Sequence, residues 1–284
     1  FGTACLPGAE KPSAETIKMR TNNRPAADFQ KSGSLAADGR KTADMEQEYQ
    51  NLARYCRELG VTLSEAQIGQ FKEYYELLTE WNSFMNLTAI TELSEVVQKH
   101  FTDSLALIKA GDLSGTKRIM DVGTGAGFPG LPLKIAFPEL EVVLLDSLNK
   151  RVNFLNEVIE MLGLKDVTAL HGRAEDYARH ADYREQFDLC VSRAVANLST
   201  LSEYCLPYVK TGGHFIPYKS GRIQEELTEA KTAIKILGGS LEKTEKFQLA
   251  DTDMERSFVV IRKIQPTGKK FPRKAGLPSK EPIK

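Results

Sequence analysis

The chain has 284 residues, 41% of them hydrophobic, and a formal net charge of zero at pH 7. This length and composition are enough for one large folded domain with appended segments, and they exclude a chain drawn to nucleic acid or membrane by its overall charge. The sequence contains no run of about 18 apolar residues that would predict a membrane span, and its four cysteines lack C-x-x-C spacing, which indicates a reduced, cytoplasmic protein.

Residues 1–44 have no hydrophobic period and are rich in Ala, Lys, Gly, Ser, Pro and Asp. We predict that they are disordered, because such a composition buries too little apolar surface to offset its ordering entropy. Periodic sequence begins at Met45, so we expect Met45 to be the natural start or residues 1–44 to be a dispensable extension that is not native. Residues 45–110 are predicted to form N-terminal helices that pack on the core. Their expected bounds are Met45 to Leu59, Ser64 (as the N-cap) to Trp81, and Ser94 to Ala110.

A predicted strand, Arg118–Val122, leads into three glycines at alternate positions, Gly123, Gly125 and Gly127. Glycine suits a sharp turn that tolerates positive φ and lets a ligand approach bare backbone. Pro129 then lies where a helix would begin, a position that tolerates its missing N–H. Strand, glycine turn and helix together are typical of the first unit of a nucleotide-binding domain.

The position of the glycines relative to the strand favours one nucleotide over another. The pattern is D-x-G-x-G-x-G counted from Asp121, and Phe128 replaces the last glycine of the dinucleotide motif. This arrangement is typical of enzymes that bind S-adenosylmethionine (SAM), in which no pyrophosphate needs a cradle. Asp146 ends the next predicted strand, where a carboxylate can accept both ribose hydroxyls of an adenosine. Asp146 fits NAD and SAM equally.

Strands and helices alternate regularly through residues 111–265, which predicts an α/β fold with a mostly parallel sheet and a ligand at the carboxyl ends of its strands. The last two strands, joined without a helix, indicate an antiparallel hairpin at the sheet edge. After the first unit, the predicted strands are Glu141–Leu145, Val167–Leu170, Phe187–Val191, residues 212–219, Leu241–Gln248 and Ser257–Ile264. The predicted helices between them are Asn149–Leu162, Leu198–Val209 and Ile223–Leu237.

The terminal segment, residues 266–284, is basic and rich in proline. From Gly268 it contains six Lys or Arg residues, one Glu and three prolines, which we expect to preclude a helix. Two interpretations stay open: a solvated basic terminus, or an arm that contacts RNA phosphates. The candidate RNA-binding residues are Lys269, Lys270, Arg273, Lys274 and Lys280.

Five ordered blocks carry a specific resemblance, and they cover the chain from about Met45 to its end. They are D-V-G-T-G-A-G-F-P-G-L-P-L, L-L-D-S-L-N-K-R-V-N-F-L, G-R-A-E-D, S-R-A-V-A and F-P-R-K-A-G-L-P-S-K-E-P-I. They resemble the bacterial glucose-inhibited division protein B family, the 16S ribosomal RNA guanine-N7 methyltransferases, with one departure at Ala275, where proline is expected. The resemblance implies a Rossmann-like class I SAM-dependent methyltransferase fold with seven strands, SAM as cofactor, 16S rRNA or the small ribosomal subunit as partner, a monomer, and no metal.

Carried over by position, the resemblance implies that Gly123 and Phe128 contact SAM and that Ala174 and Glu175 flank the adenine. It also places Arg193 at the cofactor site. Gly125, from the glycine turn, and Asp146, from the spacing argument, complete the expected cofactor set. Glu175 could instead cap a helix and Arg193 could pair with a surface acid. His100 and Asp103 are more often a surface pair, and we keep them with Arg193 as positioning candidates.

The expected chemistry needs no general base, because guanine N7 has an in-plane lone pair and carries no proton. Positioning of the reacting atoms and exclusion of water are then the main tasks of the enzyme. Three alternatives stay open from the sequence: a SAM-dependent methyltransferase for small molecules, a nicotinamide oxidoreductase, and a non-catalytic RNA-binding protein with a relic pocket.

Overall fold

The computed structural model describes residues 35–193, 196–221 and 223–284. Residues 1–34, for which we predict disorder, lie outside these ranges. Ala194 and Val195 of the S-R-A-V-A block also lie outside them. The helices are α1 (Leu35–Glu58), α2 (Glu65–Met85), α3 (Leu93–Val96), α4 (Asp103–Leu105), α5 (Gly130–Ala136), α6 (Asn149–Met161), α7 (Ala174–Tyr177), α8 (Leu198–Cys205), α9 (Gln224–Ile236) and α10 (Leu277–Lys280). The strands are β1 (Arg118–Val122), β2 (Glu141–Asp146), β3 (Val167–His171), β4 (Phe187–Arg193), β5 (Val209–Ser220), β6 (Gly239–Gln248) and β7 (Glu255–Lys263).

The first helix begins earlier than its apolar period predicts. Helix α1 begins at Leu35, whereas the sequence pattern places both the end of disorder and the start of the helix at Met45. Alanine, which has the highest helix propensity, occurs three times in residues 35–44, so this stretch can be helical without an apolar stripe. An apolar period therefore marks only part of this helix.

Helix α2 fastens the N-terminal helices to the α/β core. Its N-cap is Ser64, as predicted, with a capping box completed by Gln67. Gln67 Nε2 also donates to the carbonyl oxygens of Ile135 and Ala136, at 2.7 and 3.1 Å, which satisfies the C-terminal end of α5. Tyr74, fully buried, donates from its hydroxyl to the carbonyl oxygen of Ala126 in the glycine turn. Residues far from the glycines therefore hold the turn in place.

The third predicted helix is not a regular α-helix. Between α3 and α4, residues Val97–Thr102 form a π-helical turn, and Ala106–Lys109 follow α4 as a 3₁₀ turn. A π turn is wider than an α-helical turn and is frequent at functional sites. His100 and Asp103, at this turn, are 8% and 3% exposed, so they are buried residues rather than the surface pair that the sequence most often indicates.

The seven-stranded sheet confirms the predicted α/β fold. Its strand order is β3-β2-β1-β4-β5-β7-β6, with parallel pairing from β3 to β5 and antiparallel pairing of β7 with both β5 and β6. Alternate residues of β1 point to opposite faces: Ile119 lies in the core beneath the N-terminal helices and Met120 in the core on the other face. The carboxyl ends of β1 to β4 consequently meet at one edge, where each motif follows its strand.

The terminal segment folds against the core and contains a helix. The prediction that its prolines preclude a helix is wrong, because Pro278 lies in the first turn of α10, where a missing N–H costs nothing. Gly276 precedes the helix with φ of 83°, a left-handed conformation that glycine adopts readily. Phe271, Pro272 and Pro278 are buried, and the hydroxyl of Thr200 in α8 donates to the carbonyl oxygen of Pro278 at 3.1 Å.

Candidate active site

The glycine turn between β1 and α5 has the conformation that its sequence predicts. Gly123, Gly125 and Gly127 have φ of 73°, 63° and 98°. A Cβ atom at Gly127 would lie 2.7 Å from the Tyr74 hydroxyl oxygen, so larger residues are excluded there. A Cβ atom at Gly125 would meet nothing within 4 Å, because its backbone borders open space. The turn thus presents bare backbone to a cavity.

Asp121, at the end of β1, anchors this turn from below. Its Oδ2 accepts hydrogen bonds from the Thr124 hydroxyl at 2.7 Å and from the Gly130 N–H at 2.9 Å. A Cβ atom at Gly130 would lie 2.3 Å from Leu144 Cδ2 and 2.9 Å from Asp121 Oδ2, so a larger residue would require these buried side chains to move. Among the described residues, Asp121 Oδ1 has no partner. Burial, partly countered by these hydrogen bonds, raises the pKa of Asp121 to about 6.

Asp146, at the end of β2, links the glycine turn to the neighbouring strand. Its Oδ2 accepts from the Gly125 N–H at 3.0 Å, and its Oδ1 accepts from the Leu148 N–H at 2.9 Å. The Arg151 guanidinium lies 3.3 Å from Oδ2. Asp146 is 3% exposed and borders the same cavity as Gly125. Its carboxylate is therefore fixed in orientation at the cavity wall.

Ala174 and Glu175 begin α7 after β3 and border the same cavity there. The Ala174 carbonyl oxygen accepts from the Tyr208 hydroxyl at 2.7 Å. Glu175 Oε1 accepts from the Gly276 N–H of the terminal segment at 2.7 Å. Ser279, in α10, also borders the cavity. The terminal segment consequently contributes to this part of the site, a role that the sequence does not predict.

A third group of side chains meets at the end of β4. The Arg193 guanidinium donates to the Lys99 carbonyl oxygen at 3.0 Å, to Asp103 Oδ2 at 3.1 Å and to His100 Nδ1 at 3.0 Å. It also lies 5.0 Å from the centroid of the Phe128 ring, on which the His100 ring stacks at 4.4 Å. All three positioning candidates, with Phe128, are thus in one packed cluster.

The contacts of His100 fix its charge and tautomer. Burial and the nearby Arg193 charge lower its pKa to about 3, so the ring is neutral at physiological pH. Nδ1 lies 3.0 Å from the Arg193 guanidinium, a donor, and 3.1 Å from the Lys99 carbonyl oxygen, an acceptor. Because arginine can only donate, and a proton on Nδ1 would face the guanidinium protons, we assign Nδ1 as the acceptor and the ring proton to Nε2. Nε2 lies 2.9 Å from the Thr88 hydroxyl oxygen. A neutral ring with both nitrogens engaged acts as a wall and not as a proton carrier.

These three groups border one cavity of about 500 Å³. It includes every residue of the expected cofactor set, namely Gly123, Gly125, Phe128, Asp146, Ala174, Glu175 and Arg193, together with His100. Asp103 does not border it but contacts Arg193 from outside. Leu87, Thr88 and Tyr204, for which the sequence gives no signal, also border it, as does Arg173 of the G-R-A-E-D block. Thr88 lies in the connector between α2 and α3, which carries no recognisable binding pattern by itself.

The basic residues of the terminal segment differ in their availability. Lys269, Lys270, Lys274 and Lys280 are exposed. Arg273 is instead held by Glu203, a carboxylate that is 1% exposed, through contacts of 3.0 Å from Nε and 2.7 Å from Nη2. The four lysines stay candidates for phosphate contacts, while Arg273 ties the segment to α8.

In residues 35–193, 196–221 and 223–284, no group of three or more His, Cys, Asp or Glu side chains is arranged to hold a metal ion. Over the same part of the chain, none of the helices has the length and apolarity needed to cross a membrane.

Comparisons with known proteins give one consistent family. Residues 67–258 match the family model GidB, described as rRNA small subunit methyltransferase G. A protein of that name from Lachnoclostridium phytofermentans is 60% identical over 227 residues, which are 80% of this chain and 94% of the relative. Its namesake from Clostridium tetani is 48% identical over 236 residues, 83% of this chain and 99% of the relative.

A comparison of structures shows the fold alone. The crystal structure of an O-methyltransferase from Bacillus cereus, determined in complex with SAH, aligns with a TM-score of 0.50 and 18% sequence identity. The alignment covers 67% of this chain and 91% of that one. The chain therefore has the Rossmann-like methyltransferase fold that the resemblance implies.

Proposed function

The chain belongs to the GidB family of small-subunit rRNA methyltransferases, and from this premise we propose that it transfers the methyl group of SAM to N7 of a guanine in 16S rRNA. Membership of the family makes the chain an rRNA methyltransferase, with guanine N7 as the acceptor atom of the family. The use of SAM by this chain, and 16S rRNA or the small ribosomal subunit as its partner, are our proposal.

The cavity around the glycine turn is the observation that supports SAM as the donor. Its volume of about 500 Å³ lies within the roughly 300–1,000 Å³ typical of small-molecule and cofactor sites. Bare backbone at Gly125 permits close approach of a ligand, and the fixed Asp146 carboxylate can accept ribose hydroxyls. We propose that Gly123 and Phe128 also contact SAM, that Ala174 and Glu175 flank its adenine, and that Arg193 borders its methionine end.

The proposed reaction assigns orientation, and not proton transfer, to the protein. When bound, SAM supplies a methyl group on a sulfonium, which is an activated leaving group. Guanine N7 carries no proton, so no residue has to remove one, and the His100 ring, which is neutral at physiological pH, is not charged to act as a general acid. Arg193 is held by Asp103, His100 and the Lys99 carbonyl, and it keeps the side of the cavity formed by His100 and Phe128 rigid. We infer that Asp103 is a positioning residue.

The organisation of the chain follows from the same proposal. Residues 111–265 form the SAM-binding domain, and residues 45–110 and 266–284 complete its cavity through Leu87, Thr88 and Ser279. The protein acts as a monomer in the cytoplasm, where ribosomal subunits assemble, and it needs neither metal nor general base. Residues 1–44 are a dispensable extension.

Methyl transfer from labelled SAM tests this proposal. The acceptors are naked 16S rRNA and intact small subunits from a strain that lacks the enzyme, and both the full chain and Met45–Lys284 are assayed. We expect incorporation into at least one acceptor, equal for the two proteins. Incorporation into neither, despite a thermal shift with SAM, would contradict the rRNA substrate and move the search to small molecules.

A further inference from the structure

A second cavity, of about 370 Å³, lies beside the cofactor cavity. His100 and Arg193 border both cavities, so a ligand in one cavity would lie next to a ligand in the other at these two side chains. The other sides of the second cavity come from the π-helical turn, from the end of β5 and from Arg256 near the start of β7. The positioning candidates His100, Asp103 and Arg193 all border this cavity, whereas Arg256 belongs to none of the sequence motifs.

The second cavity has an excess of positive charge. Asp103, its one carboxylate among the described residues, is held on both sides: Oδ1 accepts from Arg256 Nε at 3.0 Å and Oδ2 from Arg193 Nη1 at 3.1 Å. Lys99 and Lys219, which also border the cavity, are paired with Glu95 and Glu226. After these pairs are counted, two guanidiniums share one carboxylate, and one positive charge is left for an anionic or electron-rich ligand.

Arg256 keeps hydrogen-bonding capacity for such a ligand. Its Nε is used by Asp103, and its Nη1 has a long contact of 3.5 Å to the Glu255 carbonyl oxygen. In the described part of the chain, Nη2 meets no acceptor, and the side chain is 21% exposed. Asp103 fixes the plane of the guanidinium, so the remaining donors have a defined direction.

Apolar side chains border the cavity as well. Ile90 and Met254 are both partly exposed at its wall, close to the buried ring of Tyr218. Apolar surface beside fixed donors suits a flat heterocycle, whose faces are apolar and whose edge is polar. A base removed from its stack by an RNA-modifying enzyme is such a ligand.

We propose that the second cavity receives the target guanosine nucleotide and that Arg256 reads its O6, an inference that rests on the proposed function. The Hoogsteen edge of guanine presents two acceptors, N7 and O6. N7 has to stay uncovered because it receives the methyl group, which leaves O6 for recognition by a donor. Adenine carries an amino group in place of O6, so Arg256 would face a donor and reject it. Arg256 is thus a specificity-determining residue.

Kinetics of Arg256→Gln, with Arg256→Lys beside it, tests the role of the side chain in the full-length protein. Because a good base contact discriminates by about 1–3 kcal/mol, we expect kcat/KM for 16S rRNA to fall on the order of 10- to 100-fold in Arg256→Gln. The dissociation constant for SAM should change less than twofold, and Arg256→Lys should recover part of the loss. Arg262→Gln is the matched control, because Arg262 is an exposed residue of the same strand that does not border the cavity.

An NMR titration tests the location without depending on methyl transfer. Protein with ¹³C-labelled methionine methyl groups and saturated with SAH is titrated with guanosine monophosphate and, separately, with adenosine monophosphate. We expect the Met254 methyl signal to shift with the guanosine nucleotide and not with the adenosine one, and the shift to be lost in Arg256→Gln. Equal shifts with both nucleotides, or none at Met254, would overturn the inference.

The two experiments separate this inference from the function on which it rests. If the wild-type protein methylates rRNA and Arg256→Gln does so with unchanged kcat/KM, the inference fails while the function stands. If SAM affinity falls as much as kcat/KM does, Arg256 has a structural role and the inference also fails. If the wild-type protein methylates no rRNA, the proposed function fails, and the titration alone decides what the second cavity binds.

Discussion

At the residue scale, Asp146 joins the glycine turn to β2 and borders the cavity that we propose for SAM. We expect Asp146→Ala to lower SAM affinity on the order of 10- to 100-fold, since hydrogen bonds to charged groups are worth about 1.5–3 kcal/mol each. Isothermal titration with SAM measures this loss. Asp188→Ala is the control, because Asp188 also accepts two backbone N–H groups, of Lys117 and Arg118, yet does not border the cavity. Equal loss in both variants would contradict a direct role of Asp146.

Asp121 makes folding stability depend on pH in an unusual direction. Burial raises its pKa from 3.8 to about 6, so the folded protein keeps this proton where the unfolded chain has lost it. The free energy of unfolding should therefore decrease as pH rises from about 4 to about 6, and this contribution is constant above that window. Asp121→Asn does not titrate at this position. We expect the free energy of unfolding of Asp121→Asn, relative to that of the wild type, to increase by on the order of 3 kcal/mol as pH rises from about 4 to about 6.

Urea unfolding of both proteins at pH 4, 5, 6 and 7 measures this difference. An unchanged difference over the whole range would show that Asp121 ionises normally in the folded protein.

His100 gives a pH prediction of the opposite kind. Its pKa is lowered to about 3, so the folded protein resists protonation that the unfolded chain accepts near pH 6.5. This contribution to stability is present above about pH 6.5 and is lost as pH falls toward 3. We expect the ¹⁵N signals of the ring to report one neutral tautomer, with the proton on Nε2, from pH 8 to pH 5. A titration near pH 6.5 would refute the assigned charge.

At the scale of elements, the terminal segment completes the cofactor cavity. Glu203 is paired with Arg273, and Glu175 accepts a hydrogen bond from the Gly276 N–H. Deletion of Gly268–Lys284 would remove both partners and leave these two carboxylates buried without them. Unpaired buried charges are costly, so we expect the deletion to lower both the midpoint of thermal unfolding and SAM affinity. Calorimetry with and without SAM measures both. Unchanged SAM affinity would contradict the contribution of this segment to the cavity.

The four exposed lysines of the same segment allow RNA contact to be tested separately. Simultaneous substitution of Lys269, Lys270, Lys274 and Lys280 by Gln should leave SAM affinity unchanged, because none of them borders the cavity. If they contact phosphates, RNA affinity should fall and its dependence on salt should become shallower. Filter binding at several salt concentrations measures both. An unchanged salt dependence would favour the solvated basic terminus.

At the scale of the whole molecule, parts of the site that follow their own strand could be predicted from sequence. Asp146 and the three glycines are such cases, because a turn and a strand end have local signals. Arg273 and Glu203 are 70 residues apart, and no local pattern pairs them. The π-helical turn of Val97–Thr102 also has a helical pattern with no glycine or proline to mark it. The burial of His100 and its contact with Arg193 depend on the packing of this turn against the end of β4, which no local pattern predicts.

The whole sheet explains why distant segments share one site. Parallel pairing places the carboxyl ends of β1, β2, β3 and β4 at one edge, and both the N-terminal helical region and the terminal segment contribute residues to the cavity there. Leu87 and Ser279, from opposite ends of the described chain, border the same cavity. The cofactor would therefore stabilise the molecule as a unit.

The most direct test of the account is to locate the product of methyl transfer. Small-subunit RNA from a strain that lacks the enzyme is incubated with SAM and the wild-type protein, and then cleaved chemically at N7-methylguanine. We expect one new cleavage site in 16S rRNA, with wild-type protein and not with Asp146→Ala at limiting SAM. Methyl incorporation without N7-dependent cleavage, or cleavage at many guanines, would contradict it.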